Sequence, residues 1–210
     1  MIKSGEISII GGVGHVGLPL GAMLSLKGYK VNLIDINQEK IDIVNKGKSP
    51  FVEHNLCNIL SEAIKKKKII ATRNFEKIKT SKFIIICIGT SVSQKLSLSK
   101  NYFLNFIKKL RNYLHPHHQV IIRSSIYPGM FNKIYRLINK NCKNITYCPE
   151  RITQGNSLKE LPQIPQIISG TNEKSLKEVK KLFKKICEKT ILCSVIEAEL
   201  AKLFSNAYRY

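Results

Sequence analysis

Residues 8–17 read SIIGGVGHVG, an apolar run that passes straight into a loop where glycine keeps recurring. Gly12, Gly14 and Gly17 give a G-x-G-x-x-G spacing between a strand-like segment and a helix-like one. In that setting Gly12 permits the tight turn, Gly14 lets the backbone approach a pyrophosphate, and Gly17 allows close helix-to-strand packing. The helix N-terminus then offers free N–H groups and a partial positive charge to phosphates. A glycine-rich turn without a ligand gives the same letters, so the decision rests on the next strand. Asp35 ends that strand-like run, KVNLIDI, about 20 residues on, where a carboxylate can accept hydrogen bonds from both adenosine ribose hydroxyls and repels a 2′-phosphate. Loop, strand, helix and acid together point to a dinucleotide site that prefers NAD to NADP.

Outward from this unit the alternation continues. Strands are expected at 6–10, 30–36, 68–72, 82–90, 119–125 and 144–148. Helices are expected at 16–27, around QEKIDIVNKG with Gly47 closing it, at 55–66, at 100–113, and between the last two strands. KFIIICIGT (82–90) is a continuous apolar run suited to a parallel sheet covered on both faces. The pattern predicts an α/β chain of the Rossmann type, doubly wound on a mainly parallel sheet. Beyond Pro149 a polar, Pro-containing loop is expected, then a strand QIISG, a helix over 172–187, a strand TILCS and a helix from about 195. Residues 1–193 are thus expected to form a dinucleotide-binding domain. Residues 194–210 are expected to begin a long central helix, still periodic at Tyr210 with no stop signal, as in a chain cut short.

The charge balance is unusual: 35 Lys and Arg against 14 Asp and Glu, a formal net charge of +21. Such a field attracts acidic partners, nucleic acid included. The lysines are spread through IKKKKII, FIKKLRN and KEVKKLFKKICEK, and no RNP-like, zinc-finger or helix-turn-helix pattern accompanies them. No specific nucleic-acid partner is therefore expected. Cys57, Cys87, Cys142, Cys148, Cys187 and Cys193 form no C-x-x-C pair, which reads as reduced thiols in a cytoplasmic protein. HPHH at 115–118 has no Cys or carboxylate beside it, so no metal is expected. Ile7–Leu26 carries no formal charge and has the length of a membrane span, but five Gly and one Pro interrupt it and a second strand comes after it. No membrane association is expected.

Several stretches, in order, resemble one family. GGVGHVGLPLG (11–21) is similar to a G-x-G-x-V-G-x-P opening, and DINQEKIDIVNKGKSPFVEHNL (35–56) to D-x-x-x-x-K…N-x-G-x-x-P…E-x-x-L. ICIGTSVSQKLS (86–97), IIRSSIYPG (121–129), YCPERITQG (147–155) and EAELAKLFSNAYR (197–209) continue the likeness. Together they resemble the UDP-glucose/GDP-mannose dehydrogenases, which oxidise the C6 alcohol of a nucleotide sugar to a carboxylate. The IGT, YPG and CPER variants lean toward the bacterial branch that makes uronic acids for surface polysaccharides, including UDP-N-acetylmannosamine dehydrogenases.

The resemblance implies NAD contacts from Gly12, Gly14, Val16 and Gly17, with Asp35 and Lys40 at the ribose. It places Thr90 on the cofactor-facing turn after a strand, and Ser125 at a Thr position that holds the reactive water or oxyanion. Glu150 matches the active-site Glu. Lys202 and Asn206 match a central-helix pair that stabilises oxyanionic intermediates, and at a spacing of i, i+4 they share one helical face. Ser91 stands where Pro is usual, and Gln154 where some members carry a second Glu. The family's Cys nucleophile lies further on, in a G-x-C-x-x-K-D-like segment, and none of the six Cys here has that context. The expectation is an N-terminal half: it binds NAD, takes a UDP- or GDP-sugar, forms a homodimer in the full-length form, and is inactive alone. A non-catalytic NAD-binding module, or a subunit completed by another chain, is the alternative. A basic nucleic-acid binder on a reused scaffold is a third reading.

Overall fold

Isoleucine and valine crowd the short apolar runs, and branched side chains suit a pleated surface buried on both faces. The computed structural model describes residues 3–89 and 96–208. Among these, β1 (Lys3–Ile10), β2 (Lys30–Ile34), β3 (Ile69–Thr72), β4 (Ser81–Ile86), β5 (Gln119–Ile122), β6 (Ile145–Tyr147), β7 (Gln166–Gly170) and β8 (Thr190–Leu192) form one sheet in the order β3-β2-β1-β4-β5-β6-β7-β8. Neighbouring strands are parallel except β6 and β7, which are antiparallel, so β7 and β8 run against the rest. The connecting helices are α1 (Gly17–Leu26), α2 (Gln38–Asn45), α3 (Leu56–Lys65), α4 (Leu96–Leu110), α5 (Met130–Ile138), α6 (Ser157–Gln163), α7 (Glu173–Phe183) and α8 (Val195–Ala207).

Strand side chains alternate between two cores, as a period of two requires. Ile7, Ile9, Phe83, Ile85 and Ile121 pack with residues of α1, α2, α3 and α7 on one face. Ile10, Ile84, Ile86, Val120 and Ile122 pack with residues of α4 and α5 on the other. This is the doubly wound arrangement. It brings the carboxyl ends of β1, β2, β4, β5 and β6 to one edge, where ligands bind in open α/β sheets.

Several boundaries differ from the sequence reading, and three of them shape that edge. β2 ends at Ile34 rather than at residue 36. β4 ends at Ile86 rather than at residue 90, and β5 at Ile122 rather than at 125. Cys87 N still donates to Ile10 O at 2.8 Å, and Arg123 N and Ser124 N both turn to Ile86 O at 2.9 and 3.1 Å. The ladder closes there, and the apolar letters beyond it belong to loops lining the edge. α4 starts at Leu96, earlier than expected. α6 occupies part of the stretch expected to be a loop; it is one short helix with Pro162 inside it, and a proline there reads as a breaker. Thr90 and Ser91 lie outside the described residues. No described helix is long and apolar enough to cross a membrane.

Candidate functional site

The glycine loop leaves β1 and crosses to β2 at once: Gly11 N and Gly12 N both donate to Ile34 O, at 2.9 and 3.1 Å. The positive φ falls on Gly11, at 76°, so the tight turn depends on Gly11 and not on Gly12 as its spacing suggested. Gly12 is demanded by packing instead, because a Cβ there would lie 2.7 Å from both Ile9 O and Leu33 Cα. A Cβ on Gly17 would run into Gly11 O and Gly12 Cα, so α1 lies directly on the loop. Gly14 is different. Its Cβ would meet only Gly11 O, at 3.4 Å, so nothing in the protein itself excludes a side chain there. Val16 is the N-cap residue of α1 and supplies no side-chain cap; in the first turn Leu18 N donates to Gly14 O at 3.0 Å and Pro19 has no N–H, which leaves the Gly17 amide at the helix start.

Asp35 ties this loop to the second strand. Its carboxylate accepts from Val13 N at 3.3 Å, and from Ile36 N and Asn37 N at 2.8 and 3.2 Å. Asn37 in turn caps α2 by accepting from Lys40 N at 3.0 Å, which fixes half-buried Lys40 in the first turn beside the acid. Gly11, Gly14 and Asp35 open on a cavity of about 230 Å³ whose apolar wall includes Ile36, Phe75, Tyr102 and Phe106. A hydrogen-bonding carboxylate, an open glycine and an uncapped helix start on one side, with an aromatic wall on the other, fit the adenosine and pyrophosphate of a dinucleotide. Sequence reasoning missed that aromatic wall. Phe75 comes from a 3-10 turn and Tyr102 and Phe106 from α4, so only the fold assembles them.

A second group lies along the same edge past β5 and β6, three ladder steps from β1, or roughly 14 Å at ordinary strand spacing. Ser125 is exposed just beyond β5. Glu150 follows β6 and is buried; it forms an ion pair with the fully buried Arg123, and its Oε1 accepts from Arg151 N and Ile152 N at 2.8 and 3.0 Å. Lys202 reaches over from α8 and donates to the main-chain oxygen of Glu150. Asn206, exposed, stands one turn further along α8. Glu150 and Lys202 are thus in contact, while Ser125 and Asn206 share the edge and the helix respectively. Arg123 was not singled out from sequence, although an arginine inside the apolar run QVIIRSS was a visible signal.

Five of the six thiols are held back from the nucleophilic thiolate by burial. Burial pushes Cys87 and Cys148 up to about 12 and Cys142 up to about 11, and raises Cys187 and Cys193 as well. His115 and His117 do stack on one another, and His118 meets both edge-on, its ring centroid 4.3 Å from that of His117. His118 is pushed down to about 4 by burial and by its neighbouring imidazoles. Among the described residues no group of three His, Cys, Asp or Glu could hold a metal ion.

Comparison with known proteins gives the family and agrees with the fold. The family model for the UDP-glucose/GDP-mannose dehydrogenase family, NAD binding domain, matches residues 5–187. The chain is 33% identical over 214 residues to the UDP-N-acetyl-D-mannosamine dehydrogenase of Methanococcus vannielii, covering 99% of this chain and 48% of that protein. It is 27% identical over 216 residues to the GDP-mannose 6-dehydrogenase of Pseudomonas syringae pv. syringae, covering 97% and 49%. The solved structure of the UDP-D-ManNAc dehydrogenase of Pyrococcus horikoshii superposes with a TM-score of 0.88 at 30% identity, over 97% of this chain and 50% of that one. The mannosamine names agree with the branch suggested by the motif variants. Methanococcus and Pyrococcus are archaea, however, so the likeness is not confined to bacterial members. The chain spans about half the length of the relatives it matches. NAD is the cofactor this domain serves, and the chain belongs to the UDP-glucose/GDP-mannose dehydrogenase family.

Proposed function

We propose that this chain supplies the NAD site and the oxyanion-stabilising residues of a nucleotide-sugar 6-dehydrogenase. Its substrate would be a UDP- or GDP-sugar, with UDP-N-acetyl-D-mannosamine first among them on the names of its relatives. The product would be a uronic acid for surface polysaccharide, made in the cytoplasm. The observation that carries the reading is Asp35, hydrogen-bonded into the glycine loop at the mouth of an aromatic-walled cavity. Bound NAD supplies the hydride acceptor. The residues of this chain hold and orient it: Gly14 and the start of α1 at the phosphates, with Val16, Gly12 and Gly17 shaping that turn, and Asp35 and Lys40 at the ribose. Thr90, outside the described residues, would join them on the family resemblance alone. On the substrate side, Ser125 would hold the reactive water or oxyanion. Lys202 and Asn206 would stabilise negative charge on the sugar oxygen through an ammonium and an amide donor, and Glu150 belongs to the same group.

Residues 1–193 then act as the cofactor domain and 194–210 as the start of a central helix. The outer face of α8 carries Ile196, Leu200, Leu203 and Phe204, all exposed, an apolar stripe suited to a homodimer through that helix.

The test is cofactor preference. NAD should bind the wild-type chain at least about tenfold more tightly than NADP, because the Asp35 carboxylate repels a 2′-phosphate and loses its ribose partners. Asp35→Ala should weaken NAD and narrow that gap, as read by calorimetry or fluorescence. Equal wild-type affinity for the two would remove Asp35 from the ribose.

A further inference from the structure

We infer that Arg123 and Glu150 are a positioning pair: the Glu150 side chain is turned inward to lock its own loop, and the residue acts on the site through its main-chain carbonyl, which holds the Lys202 ammonium. The inference deepens the proposed function and rests on its assignment of Lys202 to the oxyanion.

A carboxylate that shuttles a proton needs an oxygen facing the reacting group. Glu150 offers none. One oxygen takes two backbone N–H groups, from Arg151 and Ile152, and the other takes the Arg123 guanidinium, with the residue only 6% exposed. Arg123 is equally committed. Its second nitrogen donates to Gln166 Oε1 at 2.7 Å, and its guanidinium lies 5.1 Å from the Phe183 ring centre. Burial works against its charge, so the pair stands or falls together.

Gln166 closes the network by donating to Ile167 O at 2.7 Å and to Pro149 O at 3.4 Å, the residue directly before Glu150. Strands β5 and β7 therefore grip the 149–152 loop from both sides. What that grip fixes is the direction of the Glu150 carbonyl, and the contact it makes is with Lys202 on α8. α8 also carries Asn206, so the same grip sets where the amide stands.

The test reads Lys202 directly, in the chain 1–210 and without reference to turnover. Acetylation by a water-soluble active ester is timed at Lys202 by peptide mass spectrometry, with exposed Lys65 as the internal reference. Glu150→Gln and Arg123→Gln should each speed Lys202 acetylation about fivefold or more while Lys65 is unchanged, because each leaves a buried charge alone and frees the loop. The double variant Arg123→Gln/Glu150→Gln removes both charges, so it should fold, bind NAD and return Lys202 to within about twofold of wild type. Lys202 indifferent to Glu150→Gln overturns the pair. So does a double variant that folds with Lys202 still fast. Because no sugar nucleotide enters the experiment, its outcome is separate from that of the substrate assignment, while loss of NAD preference would strike the proposed function alone.

Discussion

Gly12 and Gly14 stand two positions apart and answer to different constraints. A Cβ on Gly12 would press on backbone atoms of β1 and β2, which have no room to move, whereas one on Gly14 would meet a single carbonyl at van der Waals range. Gly12→Ala should therefore cost about 1–3 kcal/mol of stability or more, with NAD binding lost alongside. Gly14→Ala should leave the melting temperature close to wild type and still weaken NAD, since its open face is what admits the phosphate. Thermal melts and NAD titration of both variants separate the two roles; a Gly14→Ala protein that binds NAD normally would contradict the second. The contrast also shows what was legible at this scale. The spacing identified the loop, because turn, packing and ligand all demand glycine, but it could not say which demand fell where. Gly11 took the positive φ. Asp35 was readable because it directly follows a strand whose register is fixed by its neighbours. Arg123 was not, because its partners Glu150 and Gln166 come from other strands' ends, and one sequence does not display pairings that distant.

At the scale of elements, the long apolar runs and the glycine stops gave their strands and helices reliably, and errors fell where chemistry other than periodicity decided. β4 and β5 ended early because the chain bends out at the ligand edge, and α6 hid behind Pro162. α8 shows a further device. Ser194 and Glu197 form a capping box that starts it. One turn on, Glu199 is 1% exposed and accepts from Gly129 N and Phe131 N at 2.8 and 3.0 Å. α5 has no side-chain cap of its own, with Gly129 in the left-handed region at its N-cap. The carboxylate thus satisfies the orphan donors of α5 and its dipole from another helix. Glu199→Ala should cost about 2–4 kcal/mol by chemical denaturation, since it strips a charged acceptor from two helix-start amides, that of Phe131 buried. Glu199→Gln should cost clearly less because it keeps one carbonyl. The Gly129 and Phe131 amides should exchange faster in the alanine variant; unchanged exchange would show that α8 is not what caps α5.

As a whole, the molecule sets two groups along one edge of the sheet: the glycine loop and Asp35 over β1 and β2, and Glu150 beyond β6, where Lys202 of α8 meets it. Its charge of +21 is spread over many lysines, and a surface of that kind sets solubility and diffuse attraction to anions more than a specific partner. Its chemistry limits what the arrangement can do alone. Taking an alcohol to an acid requires two hydride losses, and the second needs the aldehyde captured as a tetrahedral adduct, which a thiolate provides. Cys87, Cys142, Cys148, Cys187 and Cys193 are all held toward the protonated thiol by burial, and Cys57 lies on α3, outside the group formed by Glu150 and Lys202. Residues 1–210 should therefore bind NAD without sustained oxidation of a nucleotide sugar. The measurement is NADH absorbance after mixing the purified chain with NAD and a panel of UDP- and GDP-sugars, with binding confirmed in parallel. A flat trace with bound NAD is the expected result. Steady production of two NADH per sugar would mean that one of these thiols, or another group on this edge, captures the aldehyde, and replacing each Cys by Ser in turn would then find it.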